Sequence, residues 1–300
     1  MRLVLNYKGF TLAESIKKSK NKTYLLCYPQ GGLNDQLSII KRCYVYCKFH
    51  SRILLINTTK SSYGVNLSDF MTFDNNTGVE IICDENLINN IIDNNKLSIY
   101  PHINKKILKT MTVYWMDSRY YIRGSQTNIS SDLGRIYRED IVIYCNCGSD
   151  NPRSIFKIIN INKNVIDEYT TRLNNIPKPY MTIHIRNTDY KCNYKKLYDD
   201  NKDRIHNEKN VYIATDDINT LNFFKSKRTV HNFTTFPSGG GYANLHYNKD
   251  ISSNTRFMDT LCDLFILGSS RDILTISKGG YIKLGRELCY NKFLLYSLLK

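Results

Sequence analysis

The chain has no long apolar run, since none of its hydrophobic stretches reaches 18 residues. A membrane-spanning helix is therefore not expected. The first residues, MRLVLNYKGF, meet asparagine and lysine too early for the apolar core of a signal peptide, which predicts a cytoplasmic protein. Internal repeats and low-complexity tracts are also absent, as in an ordinary globular chain.

Acidic residues are few: 27 Asp and Glu stand against 42 Lys and Arg, which gives a net charge of +15. Such a balance favours anionic partners, whether nucleic acid, a membrane surface or small molecules that carry phosphate. The lysines are scattered, however, and neither a nucleic-acid-binding motif nor a cluster of stacking tyrosines is recognisable. A basic nucleic-acid-binding protein is therefore kept as an alternative, and a nucleic-acid partner is not expected.

Cysteines at metal-binding spacing are also lacking. The nine cysteines are an odd number, and most stand among apolar residues, which favours reduced core thiols. Cys145 and Cys147 form the one close pair, without a second Cys or His pair at zinc-finger spacing. No metal site is predicted.

The length predicts two domains. A chain of 300 residues exceeds the usual size of one domain, and a hydrophobic content of 42% suffices for ordinary cores. We expect α/β domains over residues 1–160 and 161–300, with the strongest turn-rich break at 147–152.

The clearest local unit lies near the N-terminus. Residues 23–28 indicate a buried strand, 33–47 an amphipathic helix and 52–57 a second strand, which predicts a right-handed βαβ unit in a parallel sheet. Between the first strand and the helix, Gly31 and Gly32 let a ligand approach the helix N-terminus. A purely structural glycine turn is the alternative.

The clearest candidate site follows the predicted strand 181–185, in which apolar and polar residues alternate. The strand stops at Arg186, Asn187, Thr188 and Asp189, and open α/β sheets bind ligands at the carboxyl ends of their strands. Arg186 offers a planar charged fork for phosphate oxygens, and Asp189 can orient it or accept a ligand hydroxyl. The alternative is a strand end followed by a solvated turn.

Two further predicted strands end in a similar way. Strand 210–217 closes with Asp216 and Asp217, which suit a ribose, a base or a metal, although Asp217 can equally N-cap the next helix. Strand 272–277 is followed by a lysine, two glycines and a helix, an arrangement that suits an anion.

One aromatic-rich segment has no assigned role. Residues 110–121 are rich in tyrosine and threonine and contain the single tryptophan, Trp115. Pocket-lining strands and buried aromatic packing both fit this pattern, and buried packing is the favoured interpretation.

Several of these segments occur in an order that resembles the α-1,2/α-1,6/O-fucosyltransferase superfamily, above all its α-1,6 branch with the rhizobial Nod-factor enzymes. They are PQGGLNDQL at 29–37, HIRNTD at 184–189, VYIATDD at 211–217, Asp263, and SKGG at 277–280. The similarity runs from about residue 23 to 290 and is not recognisable over 58–160.

The resemblance implies a GT-B-like α/β architecture, in which two Rossmann-like domains face a cleft. Residues 1–160 would form the acceptor-side domain, and residues 161–300 the domain that binds the nucleotide sugar. The resemblance also implies inverting transfer of L-fucose from GDP-fucose to a glycan acceptor, without metal or cofactor. Arg186 matches the arginine that binds the pyrophosphate, and His184 helps to shape that strand end. The other donor-side positions of the match are Gly31, Gly32, Asn34, Asp216, Asp217, Asp263, Ser277, Lys278, Gly279 and Gly280.

Two positions depart from the family pattern. Asn187 stands in place of the second arginine of a His-x-Arg-Arg-x-Asp motif, and Tyr194 in place of a glutamate base. A cation is expected to compensate for the arginine, with Lys191, Lys195 and Lys278 as candidates. Another GDP- or UDP-sugar donor and a sugar-binding module without catalysis are the alternatives.

Sugar transfer needs two kinds of help from such residues. The departing diphosphate gathers negative charge, which Arg186 and a helix N-terminus can stabilise. The acceptor hydroxyl loses a proton as it attacks, and the candidate bases are, in order, Asp35, Asp189 and Asp199.

Overall fold

The structure is a computed structural model that describes residues 22–74, 78–148, 150–238 and 245–300. In these ranges the strands are β1 (Tyr24–Gln30), β2 (Ile53–Ile56), β3 (Met71–Phe73), β4 (Ile81–Ile82), β5 (Ile99–Tyr100), β6 (Val113–Met116), β7 (Arg119–Ile122), β8 (Ile141–Cys147), β9 (Ile159–Ile161), β10 (Met181–Ile185), β11 (Val211–Thr215) and β12 (Asp272–Thr275). The helices are α1 (Leu33–His50), α2 (Glu85–Asp93), α3 (Lys105–Thr110), α4 (Lys163–Asn174), α5 (Tyr194–Asp200), α6 (Lys202–Asn207), α7 (Ile218–Lys227), α8 (Ser253–Ser269), α9 (Gly280–Tyr290) and α10 (Lys292–Leu298).

The first sheet contains five parallel strands in the order β4-β2-β1-β8-β5. Its central strand β1 is buried along its whole length. Leu25 and Cys27 face one hydrophobic core, and Leu26 and Tyr28 face the other, which explains why β1 is apolar without alternation. Strand β1, helix α1 and strand β2 form the predicted βαβ unit, because β1 and β2 pair in parallel.

The second sheet is smaller, with three parallel strands in the order β11-β10-β12. Strand β10 lies in the middle, and its His184 is in register with Ala214 of β11 and Thr275 of β12. The carboxyl end of β10 is therefore flanked by the carboxyl ends of both neighbours. This topology brings the three predicted strand ends together at one edge.

One hydrophobic core joins the two halves. It contains Leu25 and Val142 of the first sheet together with Tyr212 and Ile273 of the second. Helix α9 contacts α1, and the C-terminal helix α10 contacts β9 and the short 3₁₀ helix Arg153–Ile158. The parallel sheets confirm the predicted α/β class, and the domain limits at residues 160 and 161 stay a prediction.

Strands β6 and β7 form a hairpin, and one of the expectations for this segment is wrong. Its two-residue turn has left-handed φ angles of 48° at Asp117 and 64° at Ser118, typical of a type I′ turn. Ile122 at its base is buried in the core, but Trp115 near its tip is 62% exposed. The favoured interpretation of buried packing is therefore wrong for Trp115, because only the base of the hairpin, at Val113 and Ile122, packs against the core.

Across the described ranges, every helix is too short or too polar to cross a lipid bilayer.

Candidate functional site

A cavity of about 430 Å³ lies between the carboxyl ends of the two sheets. The first half contributes the loop before α1 and the end of β8, and the second half contributes the ends of β10 and β11 and the N-terminal parts of α8 and α9. The predicted residues that line it are Gly31, Gly32, Asp35, His184, Arg186, Asp189, Asp216, Asp263, Ser277 and Gly279. The predicted Asn34, Asp217, Lys278 and Gly280 lie outside its lining.

Arg186 is held in place at the end of β10. Its Nε donates to Asp189 Oδ1 at 2.7 Å, and its terminal Nη2 bonds the other carboxylate oxygen of Asp189. Its backbone N–H donates to Ser277 Oγ at 3.0 Å, which ties the end of β10 to the segment after β12. Asp189 thereby holds the Arg186 guanidinium in one orientation at the cavity.

Asn187 points away from the cavity and takes a structural role. Its side-chain Nδ2 donates to Asp217 Oδ2 at 2.6 Å, and its backbone N–H donates to Asp216 Oδ1 at 2.7 Å. Asp217 also accepts the N–H of Asn219 at 3.1 Å and so N-caps α7, as the alternative interpretation of this residue predicts. Burial alone would raise the pKa of Asp217, but hydrogen bonds from Asn187 and Thr220 lower it below its usual value.

None of the three lysines expected to compensate for Asn187 lines the cavity. Lys191 donates to the carbonyl oxygen of Asn187 at 2.9 Å, and Lys195 and Lys278 are exposed. Beside Arg186, Arg256 in the first turn of α8 lines the cavity. Compensation by one of these lysines stays a prediction, and Arg256 is a further candidate for the second cation.

Arg256 was missed by the sequence reasoning. Its Nη2 donates to Ser253 Oγ at 3.0 Å and to the carbonyl oxygen of Tyr63 at 3.3 Å, which links α8 to a loop of the first half. Burial lowers the pKa of Arg256, but an arginine remains charged at any physiological pH. Neither Arg256 nor Tyr63 belongs to a recognisable motif, so no local sequence pattern predicts the contact between them.

Two helix N-termini meet at the cavity. The N-cap residues of α1 and α9 are Gly32 and Gly279, which bring no side chain over the first amides of either helix. A Cβ on Gly280 would lie 2.3 Å from Asn34 Nδ2, so only glycine lets the first turns of the two helices touch. At α1 the Gly32 N–H already donates to the Asp35 carboxylate, so the N-terminus of α9, which has no side-chain cap, is the one of the two that suits an anion.

Asp35 lies in the first turn of α1 and lines the cavity. Its Oδ2 accepts the N–H of Gly32 at 3.1 Å, and burial raises the pKa of this carboxyl above its usual value. The Asp35 carboxylate therefore stabilises the N-terminus of α1 and also faces the cavity. Asp199, the third candidate base, is exposed on α5 and outside the lining.

Two carboxylates on α8 form a polar wall of the cavity. Asp263 accepts from Tyr212 Oη at 2.5 Å and from Thr234 Oγ1 at 2.8 Å, and burial raises its pKa to about 6. Asp259, one turn earlier, forms an ion pair of 2.6 Å with Arg172. Asp259 and Asp263 are four residues apart on one predicted helix, a spacing that indicates a shared face. Only Asp263 was selected in the sequence analysis.

His184 is a neutral group beside these charges. Burial, and after it the positive charges of Arg186 and Arg286, lower its pKa to about 3. Its ring centroid lies 5.7 Å from that of Tyr281, and its Nδ1 is 3.4 Å from Thr275 Oγ1. A neutral, packed imidazole fits its predicted role of shaping the strand end. Over the described parts of the chain, no group of three or more His, Cys, Asp and Glu side chains is arranged to hold a metal ion.

Solved structures share this architecture. NodZ α-1,6-fucosyltransferase soaked with GDP-fucose aligns over 89% of this chain and 93% of its own, with a TM-score of 0.56 and 13% identity. NodZ from Bradyrhizobium aligns over 89% and 94%, with a TM-score of 0.55 and 13% identity. POFUT1 in complex with GDP aligns over 89% and 94%, with a TM-score of 0.52 and 10% identity.

The chain has a fucosyltransferase-like fold. The predicted GT-B-like architecture is therefore confirmed. No protein-family model matches the sequence, and no curated protein matches it either. At identities of 10–13%, what the chain shares with these structures is the fold.

Proposed function

We propose that the protein is an inverting, metal-independent glycosyltransferase that transfers L-fucose from GDP-fucose to a glycan acceptor. The observation that carries this proposal is the meeting of Arg186, Arg256 and two glycine-capped helix N-termini at one cavity. Structures with the same fold were obtained with GDP-fucose or with GDP, which supports this choice of donor.

The diphosphate is the part of the donor that this cavity suits best. Asp189 holds Nε and one N–H of Nη2, so Arg186 offers a ligand its Nη1 and the remaining N–H of Nη2, and Arg256 adds a second charge from α8. Each charge-assisted hydrogen bond contributes about 1.5–3 kcal/mol, and the N-terminus of α9 adds oriented amides. These groups stabilise the negative charge that gathers on the departing GDP, the task that a metal ion performs in other transferases.

The guanine base is assigned to the α8 wall. An ionised Asp263 accepts hydrogen bonds, and guanine presents two adjacent donors, N1–H and the exocyclic N2 amine. Uracil and adenine do not present donors in this arrangement. Asp263 is thus proposed to select GDP over UDP and ADP, as a site built to pair with particular donors rejects ligands that lack them.

The transfer itself is a single displacement. The acceptor oxygen attacks the anomeric carbon from the side opposite the diphosphate, and the bond from that carbon to the phosphate oxygen breaks. Asp35 takes the proton of the attacking hydroxyl, and GDP leaves with the bonding electron pair. One displacement inverts the anomeric centre.

Thermal unfolding with a panel of nucleotides and nucleotide sugars, with and without EDTA, tests this function. A ligand that binds only the folded protein adds about 2.7 kcal/mol at 100 times its dissociation constant. We expect stabilisation by GDP and GDP-fucose that EDTA does not change. Arg186→Ala should abolish most of it, whereas Arg138→Ala, at an exposed arginine outside the cavity lining, should not.

The other outcomes of this experiment separate the alternatives. Stabilisation by a UDP-sugar in place of GDP-fucose would change the donor and keep the class of reaction. Stabilisation that EDTA removes would contradict metal independence. If no nucleotide stabilises the protein, or if Arg186→Ala binds GDP-fucose as the natural protein does, the proposal fails.

A further inference from the structure

The β6–β7 hairpin is attached to the edge of the cavity. The backbone N–H of Tyr120 donates to Ser130 Oγ at 2.8 Å, and Ser130 Oγ in turn donates to the carbonyl oxygen of Cys145 at 2.7 Å. Cys147, two residues further along β8, lines the cavity. The hairpin is thus fixed to the strand end that leads into the site.

Trp115 and Tyr120 are directly opposite each other in this hairpin, so their side chains lie on the same face. Tyr120 is the inner member of the pair. Burial raises its pKa, and so do its neighbours Cys147, Tyr247 and Asp35, which all line the cavity. Tyr120 is thus joined through Ser130 to the strand that enters the cavity, and Trp115 lies beside Tyr120 on the same face.

The rest of the hairpin holds this face rigid. On the other face, Tyr114 and Tyr121 stack with ring centroids 5.7 Å apart, and the Arg123 guanidinium lies 5.8 Å from the Tyr114 ring. The tight turn at the tip leaves no long loop. A large, exposed indole on a hairpin that is bonded to the strand entering the cavity is a contact surface for a ligand.

A sugar ring is the ligand that this surface suits. The C–H face of a pyranose packs on an aromatic ring, while its hydroxyl groups need polar partners at the ring's edge. Trp115 offers the flat apolar surface, and Tyr120 adds a second ring with a hydroxyl. The surface is small and narrow, because it is one face of two short strands, which suits a chain of sugars better than a folded protein.

We propose that Trp115 and Tyr120 form the acceptor subsite, in which one sugar of an oligosaccharide stacks on the indole while the next sugar presents its hydroxyl to Asp35. This inference rests on the proposed function and adds to it the class of acceptor, an oligosaccharide rather than a protein side chain. It also assigns acceptor recognition to the half of the molecule that carries the first sheet.

The single tryptophan makes the test specific, because the indole emission of this protein comes from Trp115 alone. The probes are soluble oligomers of glucose, of N-acetylglucosamine, of galactose and of mannose. We expect at least one of them to change the emission in a saturable way. Calorimetry with that oligomer should show at least a tenfold weaker affinity for Trp115→Ala, and close to natural affinity for Trp115→Phe, which keeps a ring.

Two controls separate this inference from the proposed function. Tyr290→Ala removes an aromatic ring that is 74% exposed and outside the cavity lining, and should leave oligomer binding unchanged. Stabilisation by GDP-fucose is measured on every variant and should be the same in Trp115→Ala, because the donor side is untouched.

The possible outcomes are distinct. If GDP-fucose stabilises the protein but no oligomer changes the Trp115 emission, the acceptor subsite is overturned and the proposed function stands. Emission that changes with protein concentration alone, together with dimers in sedimentation, would also overturn it, since the hairpin would then bind a second copy. If oligomers bind through Trp115 but GDP-fucose does not stabilise the protein, the transferase fails and a glycan-binding surface remains.

Discussion

Charge at the cavity depends on where a side chain points, as Asn187 and Arg256 illustrate. The Asn187 amide bonds the helix-capping carboxylate of Asp217, 2.6 Å away, and brings no charge to the cavity. Arg256 supplies a second cation from α8, about 70 residues later in the chain. A phosphate site can therefore keep its charge while its motif changes, provided that another element reaches the same space.

Arg256→Ala should weaken GDP-fucose binding about tenfold to a hundredfold, the loss of one charge-assisted contact of about 1.5–3 kcal/mol. Isothermal titration measures the change. Lys278→Ala is the matched control, because Lys278 lies in the SKGG segment after β12 but is exposed, and the affinity of this variant should stay close to that of the natural protein. If Lys278→Ala loses more affinity for GDP-fucose than Arg256→Ala, the second cation is Lys278 and not Arg256.

Asp35→Asn should reduce kcat by a factor of about 100 or more, the usual contribution of a general base, with little change in the affinity for GDP-fucose. Since the base must be ionised, activity should fall as the pH drops through the raised pKa of Asp35. Asp199→Asn, at the exposed candidate, serves as the control for initial-rate assays. Equal rates for Asp35→Asn and the natural protein would remove Asp35 from the reaction.

Asp263 should make donor affinity depend on pH. Burial raises its pKa to about 6, and only the ionised carboxylate accepts the guanine N–H groups. Affinity should therefore be complete well above pH 6 and fall by up to tenfold per unit below it. GDP-fucose is the suitable probe, because neither of its phosphates takes up a proton in this range. Asp263→Asn should bind more weakly and lose this dependence, and an identical pH profile in the variant would contradict the assignment.

At the scale of elements, the site depends on the contact between the N-termini of α1 and α9. A methyl group on Gly280 would lie 2.4 Å from Asn34 Cγ, so Gly280→Ala must push the two helices apart. We expect at least a tenfold loss of GDP-fucose affinity in Gly280→Ala. Asn34→Gly removes all three Asn34 atoms that crowd this methyl group, Nδ2, Cγ and Cβ, so the double variant Asn34→Gly/Gly280→Ala should recover much of the loss. Strictly additive effects would show that the contact is unimportant.

Local patterns predicted those elements because their information is local. The apolar run of β1, the helical spacing of α1 and the polar ends of β10 and β11 follow from residues close together in the chain. Parallel pairing then brings the strand ends to one edge, so the location of the cavity could be predicted as well.

Contacts between distant segments could not be predicted in this way. The link from Arg256 to Tyr63 spans 193 residues, and no pattern in either segment announces it. The hairpin shows the second limit. The segment 110–121 predicts strands, but the exposure of Trp115 depends on which end of the hairpin packs against the core.

The whole molecule should unfold as one unit, because a single core contains residues of both parallel sheets. Phe265 lies in that core and is fully buried, so Phe265→Ala should lower the free energy of unfolding by about 3–5 kcal/mol. Calorimetry should show one transition moved to lower temperature, and hydrogen exchange should speed up in both sheets. Phe293→Ala, at a ring that is 81% exposed, should change stability by less than about 0.5 kcal/mol. A sheet that keeps its protection in Phe265→Ala would show that the two halves unfold independently.

The lining of the cavity includes a thiol, and its position makes occupancy of the site open to chemical measurement. Among the described residues, every cysteine carries a free thiol, and Cys147 is the exposed one. Burial raises the pKa of Cys147, so alkylating reagents should modify it slowly near neutrality and faster as the pH rises. A bound nucleotide sugar or oligosaccharide stands between the reagent and this sulfur. The rate of alkylation at one atom can thus report the fraction of the protein that each proposed substrate occupies.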